Sequence, residues 1–266
     1  MFLVGSDQVW NGQRVGCLDV YMCDFLHKEK SALSYAASFA IDTIPNDLFE
    51  AYTKYIKNID TILVRESKGI ELCKQLGRND AKLVVDPTLL LKGEDYAAFI
   101  RDPIELVGKD DFILVYSLKS SMKIFEEASK LAAKYKCKMV ILKRGAHPPL
   151  ASSFNNAIEL IEVGPAEFMS LVYYAKCVVT SSYHALMFSL LFHTDFYLYL
   201  DDSSAENSRL LSSLSMFSLE KQLYYESSSL PKTLPEIQWD LVDSLVNYKR
   251  KESIQLLRES IIRKLQ

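Results

Sequence analysis

Four short segments of this sequence place polar or charged residues directly after an apolar run. They are Gly5-Ser6-Asp7, Arg65-Glu66, Asp86, and the turn from Thr180 to His184. Short apolar, β-branched runs of this kind are typical of buried strands. Since ligands of open α/β sheets bind at the carboxyl ends of strands, these turns are where chemistry is expected.

Among these segments, the turn Thr180-Ser181-Ser182-Tyr183-His184 is the strongest candidate for a chemical role. Residues 185–192 after it are almost wholly apolar and predict a helix that begins at the turn. N–H groups at a helix N-terminus favour an anion, and a histidine there could donate a proton to that anion. A lone histidine on an apolar helix is also a common core residue. Its place after a buried strand favours the chemical role.

The other turns each allow a structural alternative. Gly5 and Ser6 are candidate ligand contacts, because glycine permits close approach and backbone N–H groups bind anions, but a plain turn also fits. Arg65 has the planar fork that binds a carboxylate or phosphate, or it is an ordinary surface residue. Asp86 either orients a partner or caps the following helix.

Two further segments carry donors. Asn207-Ser208-Arg209 predicts a helix start from which Arg209 can reach an anion, and the loop 143–149 concentrates Lys143, Arg144 and His147 after a strand. Both segments are equally compatible with solvated loops that have no role.

The elements that must position these residues alternate between strand and helix patterns, which predicts an α/β fold with a mainly parallel sheet. Helical spacing predicts helices at Asn46 to Ile59, opened by an Asn46 cap, at Ser67 to Leu76, ended by Gly77, and at Asp240 to Gln266. The predicted strands are Phe2–Val4, Ala32–Ala37, Thr61–Val64, Lys82–Val85, Phe112–Tyr116, Met139–Leu142, Ile158–Ile161, Cys177–Thr180 and Phe196–Leu200.

A Pro-, Gly- and charge-rich stretch at residues 101–111 predicts a domain boundary, which divides the chain into residues 1–105 and 106–266. The second domain would then carry the long C-terminal helix. The first strand starts at residue 2, although parallel strands are normally covered on both faces. We therefore expect the N-terminal domain to be incomplete.

The composition is that of a globular protein, with 266 residues, 49% hydrophobic and 24% charged. A net charge of -3 without a basic block argues against a nucleic-acid binder and favours a small-molecule partner. Five cysteines without a C-x-x-C pair predict reduced, buried thiols and no metal site. Without a signal peptide or a run of about 20 apolar residues, the chain is predicted to be cytoplasmic.

Taken in order, these segments resemble the polysaccharide pyruvyl transferase family. Gly-Ser-Asp-Gln-Val-Trp-Asn is the most specific of them, and together they span most of the chain. The matching segments are Phe2 to Asn11, Ser34 to Phe39, Val64-Arg65-Glu66, Val85 to Leu90, Gly164 to Phe168, Val179 to Ala185, and Asn207-Ser208-Arg209.

The resemblance implies two Rossmann-like domains, similar to GT-B glycosyltransferases, with an active site between them. It implies transfer of the enolpyruvyl unit of phosphoenolpyruvate to a sugar of a bacterial surface polysaccharide or its precursor, as a pyruvate ketal, with release of phosphate. Phosphoenolpyruvate is then a co-substrate, and neither a cofactor nor a metal is implied. The sugar is nucleotide- or lipid-linked or free, and a peripheral association with membrane-bound assembly enzymes stays open.

The resemblance also implies roles for individual residues. His184 is the acid or phosphate ligand. Many relatives carry an arginine where this chain has Ser182, and Arg65, Lys143 or Arg144 could supply the cation instead. The implied donor-binding residues are Arg65, Ser181, Ser182, Gly5 and Ser6. Those implied for the acceptor or its nucleotide are Glu167, Asn207, Ser208 and Arg209, and further candidates are Asp7, Asp86, Lys143 and Arg144.

Two other functions fit the sequence. One is a nucleotide-sugar glycosyltransferase on the related GT-B scaffold, and the other is a saccharide-binding relative without catalysis. Ligand-induced thermal stabilisation by phosphoenolpyruvate, phosphate or nucleotide sugars would separate the three.

Overall fold

A computed structural model of the protein describes residues 1–26, 30–118, 122–143, 150–202 and 207–265. The strands are β1 Phe2–Asp7, β2 Ala32–Ala37, β3 Leu63–Val64, β4 Lys82–Leu83, β5 Phe112–Tyr116, β6 Lys138–Lys143, β7 Ala157–Ile161, β8 Cys177–Thr180, β9 Phe196–Leu200 and β10 Leu223–Tyr225. The helices are α1 Gly12–Val15, α2 Leu18–Tyr21, α3 Phe49–Tyr55, α4 Ser67–Gln75, α5 Ile104–Val107, α6 Met122–Tyr135, α7 Pro165–Tyr174, α8 Tyr183–Phe192, α9 Ser208–Met216 and α10 Trp239–Leu265.

The chain forms two compact units. Unit 1 comprises Met1–Leu90, Ala205–Ser218 and Asp243–Gln266, and unit 2 comprises Leu91–Ser204 and Leu219–Val242. The sheet of unit 1 has the order β1-β2-β3-β4, and that of unit 2 has the order β10-β9-β8-β5-β6-β7. Neighbouring strands pair in parallel throughout both sheets. The predicted α/β fold with parallel sheets is confirmed.

The units divide the chain differently from the predicted division at residues 105 and 106. Residues 91–105 belong to unit 2, where the Arg101 N–H donates to Ser170 Oγ over 2.9 Å. Most of α10 belongs to unit 1, because Ser253 Oγ accepts the Val85 N–H at 3.0 Å and Arg250 Nε donates to the Leu89 carbonyl at 2.6 Å. Sequence pattern shows a helix but not the sheet against which it packs.

In unit 1, apolar side chains from β1 to β3 pack against α2 to α4 in one core. Trp10 and Phe39 meet edge-on, with ring centroids 5.2 Å apart, and Tyr52 OH donates to the Trp10 carbonyl over 2.6 Å. As the first strand in the order, β1 lies at the edge of its sheet, with Phe2 and Leu3 exposed.

The core of unit 2 lies between β5, β6, β8 and α6. Helix α6 buries Ile124, Ala128 and Leu131 at helical spacing against Val115 and Ile141 of the sheet. Each buried isoleucine, leucine or valine side chain of this core contributes about 1.5–3 kcal/mol of transfer free energy.

Most predicted elements form, with local differences. Strand β10 is absent from the prediction, since three residues give too short a pattern. The predicted helix from Asn46 to Ile59 is a 3-10 turn, then α3, then a second 3-10 turn, and Asn46 makes no side-chain cap. Gly77 follows α4 with φ +81, as a C-terminal glycine should.

Candidate active site

The strand order of unit 2 reverses between β5 and β8. The strands β6 and β7 lie on one side of β5, and β8, β9 and β10 lie on the other. This order is that of a Rossmann fold, in which ligands bind beyond the carboxyl ends of the two strands at the reversal. Here those ends are Tyr116 and Thr180, which are register partners.

A buried threonine links these two strand ends. Thr180 is fully buried, and its Oγ1 donates to the Tyr116 carbonyl over 2.5 Å. The same oxygen accepts the Ser182 N–H at 2.9 Å. One hydroxyl therefore fixes the end of β5 and the path of the turn that leads into α8.

Two serine hydroxyls lie beside this link. Ser117 Oγ and Ser181 Oγ are 3.2 Å apart, and Ser181 Oγ accepts the Leu118 N–H at 3.2 Å. The Ser181 N–H in turn donates to the Tyr116 carbonyl over 3.2 Å. The switch point thus presents paired hydroxyls, which can donate to or accept from a ligand.

His184 is the second residue of α8 and is half-buried, with its ring edge-on to Tyr183. Ser182 is 3% exposed and is the N-cap of this helix, because its Oγ accepts the Ala185 N–H at 3.4 Å. Capping engages one lone pair of the Ser182 hydroxyl, and the contact of Ser182 with the donor stays a prediction. His184 lies where the helix dipole is positive.

Glu167 is an exposed residue in the first turn of α7. A Cβ on Gly164 would lie 2.5 Å from its Oε2, so a larger residue there would displace the Glu167 carboxylate. Lys143 forms a largely buried ion pair with Glu159, at 3.2 Å from Nζ to Oε1. Arg144, the other cation predicted in that loop, lies outside the described residues.

The predicted site residues of unit 1 gather at the carboxyl edge of its own sheet. Arg65 has no exposed side-chain surface, and its Nη1 binds Asp86 Oδ2 at 2.8 Å while Nη2 binds Asp7 Oδ1 at 2.9 Å. Asp86 Oδ2 also accepts from Ser6 Oγ at 3.2 Å. Two carboxylates of the protein thus hold the fork of Arg65, and its role as an anion clamp stays a prediction.

Asp86 fills both of the roles that the sequence left open. It orients Arg65, and its Oδ1 accepts the Thr88 N–H at 3.0 Å and the Thr88 hydroxyl at 2.8 Å, at the start of the 3-10 turn Pro87–Leu90. Asp7 has a left-handed backbone, with φ +70, and a side chain that is 62% exposed. Gly5 is exposed, with open space where a Cβ would be.

Glu66 was not among the predicted site residues. In the structure it is buried beside Arg65 and accepts hydrogen bonds from the segment after β2. It is 1% exposed, and its Oε1 accepts from Ser38 Oγ at 3.0 Å, from the Phe39 N–H at 2.9 Å and from the Ala40 N–H at 3.4 Å. Burial raises the pKa of Glu66 above the ordinary range, against the opposing charge of Arg65. A glutamate directly after an apolar strand was the available signal.

Asn207, Ser208 and Arg209 lie at the start of α9 in unit 1, and Arg209 is 6% exposed. Helix α9 is tied to α4 because Ser212 Oγ accepts the Ser67 N–H at 3.1 Å. The alternative of a solvated loop at Arg209 is therefore wrong. These three residues belong to unit 1, and the His184 turn belongs to unit 2.

Within the described ranges, no three His, Cys, Asp or Glu side chains are grouped as metal ligands would be. None of the helices described is both long and apolar enough to cross a membrane. The cysteines are free thiols, with Cys17 half-buried and the others buried.

Solved structures with a similar fold are sugar-nucleotide enzymes of low sequence identity. A putative UDP-N-acetylglucosamine 2-epimerase from Listeria monocytogenes is 11% identical with a TM-score of 0.51, over 83% of this chain and 65% of that protein. The UDP-GlcNAc 2-epimerase from Neisseria meningitidis is 12% identical with a TM-score of 0.48, over 99% of this chain and 74% of that one. This chain thus spans about two thirds of the Listeria protein's length, and the likeness shows the fold alone.

A search of curated protein sequences finds no significant match. The sequence model of the polysaccharide pyruvyl transferase family matches residues 1–203, which is more than half of the chain. Those residues include β1 to β9, the Arg65 network and the His184 turn. The chain therefore belongs to the polysaccharide pyruvyl transferase family.

Proposed function

We propose that this chain transfers the enolpyruvyl unit of phosphoenolpyruvate to a sugar, forming a pyruvate ketal and releasing phosphate. The observation that carries the proposal is His184, half-buried in the first turn of α8 and three residues after Ser181, whose hydroxyl pairs with that of Ser117, in a chain of this family. Its setting would be the cytoplasmic synthesis of a bacterial surface polysaccharide.

The reaction needs a proton donor and an anion site. As imidazolium, His184 donates a proton to the methylene carbon of the enol, and the neighbouring carbon accepts a sugar oxygen as it becomes cationic. Phosphate then leaves, and a second sugar hydroxyl attacks the same carbon to close the ketal. Of the two hydroxyl protons released, one restores the imidazolium and the other departs on phosphate.

The donor's phosphate and carboxylate would bind the Ser117 and Ser181 hydroxyls and the N-terminal end of α8. The facing positive charge would come from the helix dipole together with a cation, of which Lys143 is ion-paired, Arg65 is held by two carboxylates and Arg144 lies outside the described residues. Arg65, with Gly5 and Ser6 nearby, would then order the edge of unit 1. We propose that Glu167 binds the acceptor sugar. Binding of the acceptor or its nucleotide by Asn207, Ser208 and Arg209 stays a prediction.

Phosphate release from phosphoenolpyruvate, measured with a panel of sugar acceptors, tests the proposal. His184→Ala should lose at least about 100-fold in kcat, the usual minimum for a general acid. The matched control is His193→Asn, since His193 ends the same helix with φ +53, a conformation that asparagine tolerates. Equal turnover in His184→Ala and the wild type would remove His184 from the reaction.

Ligand-induced stabilisation separates this function from a glycosyltransferase. Phosphoenolpyruvate at 100 times its dissociation constant should stabilise the protein by about 2.7 kcal/mol. A thermal shift with nucleotide sugars and none with phosphoenolpyruvate would contradict the proposal and favour the glycosyltransferase.

A further inference from the structure

An aromatic pair borders the hydroxyls at the switch point of unit 2. Tyr116 is the last residue of β5, and its ring meets that of Phe168 of α7 edge-on, with centroids 5.5 Å apart and planes at 66°. Both side chains are only partly buried, unlike the strand residues before Tyr116. Phe168 also packs on Phe188 of α8, with centroids 6.0 Å apart, so the pair is the partly exposed end of an aromatic cluster and lies beside the serine hydroxyls.

The fold fixes where these rings lie. Ile113 and Val115 belong to the core cluster that includes α6, so alternation along β5 places Tyr116 on the opposite face, where it meets α7. The Tyr116 carbonyl accepts from both Thr180 Oγ1 and the Ser181 N–H. The next residue, Ser117, contacts Ser181 through its hydroxyl. The aromatic pair and the hydroxyl pair thus meet at the end of β5, through Tyr116 and Ser117.

We infer that Tyr116 and Phe168 form the wall on which a pyranose ring of the acceptor packs, an inference that rests on the proposed function. A pyranose has faces of C–H groups that pack on aromatic rings and a rim of hydroxyls that need polar partners. Ser117 and the exposed Glu167 are the sequence neighbours of the two rings and can supply those partners. Phosphoenolpyruvate is a small dianion or trianion, so contact with an aromatic surface would contribute little to its binding.

Saturation-transfer NMR tests the inference without turnover. The probes are methyl β-D-galactopyranoside, methyl β-D-glucopyranoside and methyl α-D-mannopyranoside. The wild type should transfer saturation to the ring C–H protons of at least one probe, and Tyr116→Leu and Phe168→Leu should each lose most of that signal. Tyr116→Phe keeps the ring and should retain it.

The matched control is Tyr173→Leu, since Tyr173 lies at the other end of α7 from Phe168, 48% exposed and packed on Phe192. This variant should bind the probes as the wild type does. In the phosphate-release assay, both wall variants should raise the acceptor KM about tenfold and leave the phosphoenolpyruvate KM unchanged. Circular dichroism and the melting temperature would show that each variant is folded.

Two outcomes would overturn the inference. One is the absence of signal from all three pyranosides with the wild type, and the other is a signal that survives in both leucine variants. If phosphate release is never detected but the signal depends on the two rings, the proposed transfer fails and the sugar site stands. If transfer is observed and the saturation-transfer signal is unchanged in Tyr116→Leu and Phe168→Leu, only the inference about the aromatic wall fails.

Discussion

The carboxyl edges of the two sheets are built from different chemistry. In unit 1 the edge is made of charges that satisfy one another, with Arg65 between Asp7 and Asp86 and with Glu66 buried beside it. In unit 2 the edge is made of serine hydroxyls and the half-buried His184. Charged motifs are conspicuous in a sequence, yet the charges of unit 1 pair with one another, and the hydroxyls and His184 of unit 2 are groups suited to receive a ligand.

The largest expected effect of this difference concerns Arg65. Arg65→Met should destabilise unit 1 by about 3–5 kcal/mol, because the 2%-exposed carboxylate of Asp86 would lose its counter-charge. Trp10 lies in unit 1 and Trp239 in unit 2, so urea unfolding followed by tryptophan fluorescence in a Trp239→Phe background reports on unit 1.

The matched control for Arg65 is Lys54→Gln, which removes the exposed ion pair with Asp24 and should leave the unfolding midpoint unchanged. A fully stable Arg65→Met variant would show that the network is not structural and would reopen the role of Arg65 as an anion clamp.

The next effect concerns the link between the two central strands of unit 2. Thr180→Val keeps the shape of the side chain but removes the hydroxyl that joins the Tyr116 carbonyl and the Ser182 N–H. We expect kcat for phosphate release to fall about tenfold, since a displaced turn misplaces His184. Thr180→Ser restores the hydroxyl and should restore most of the rate. Loss of activity in both variants to the same extent would contradict a role for the hydroxyl.

The sequence was informative wherever a pattern is local. Strand ends, the helix after Ser182 and the place of His184 follow from apolar runs and their flanking residues. The sequence could not show that Arg65 is enclosed by Asp7 and Asp86, because those residues are 58 and 21 positions away from it. Likewise, whether Ser182 binds a ligand or caps α8 depends on where its hydroxyl points, which sequence type does not determine.

A smaller effect is an opposite pH response of two buried glutamates. Burial raises the pKa of Glu66, so its contribution to the stability of unit 1 becomes less favourable as the pH rises from about 4.3, its unfolded value, through the folded pKa. For Glu127 in unit 2, burial is outweighed by hydrogen bonds from Lys130 and the Leu230 N–H and by the charge of Lys123, so its pKa is lowered. The stability from Glu127 is therefore present above about 4.3 and is lost as the pH falls through the folded pKa.

Urea unfolding between about pH 3 and pH 7 should reveal both signs. Each variant, Glu66→Gln or Glu127→Gln, is compared with the protein that keeps the glutamate. The tryptophan of the same unit reports on unfolding, so the difference isolates the titration of that one glutamate from that of the other carboxylates. Glu127→Gln should lose about 1 kcal/mol at neutral pH and Glu66→Gln little or none. Slopes of the same sign would contradict the opposite pKa shifts of the two glutamates.

The most direct test of the central claim compares two serines at equivalent strand ends. Calorimetric titration with phosphoenolpyruvate should give a dissociation constant about fivefold higher for Ser181→Ala, roughly the worth of one hydrogen bond. Ser6→Ala should bind as the wild type does, because the Ser6 hydroxyl already donates to Asp86. Weaker binding by Ser6→Ala together with unchanged binding by Ser181→Ala would place the donor at the charged edge of unit 1 and contradict this account.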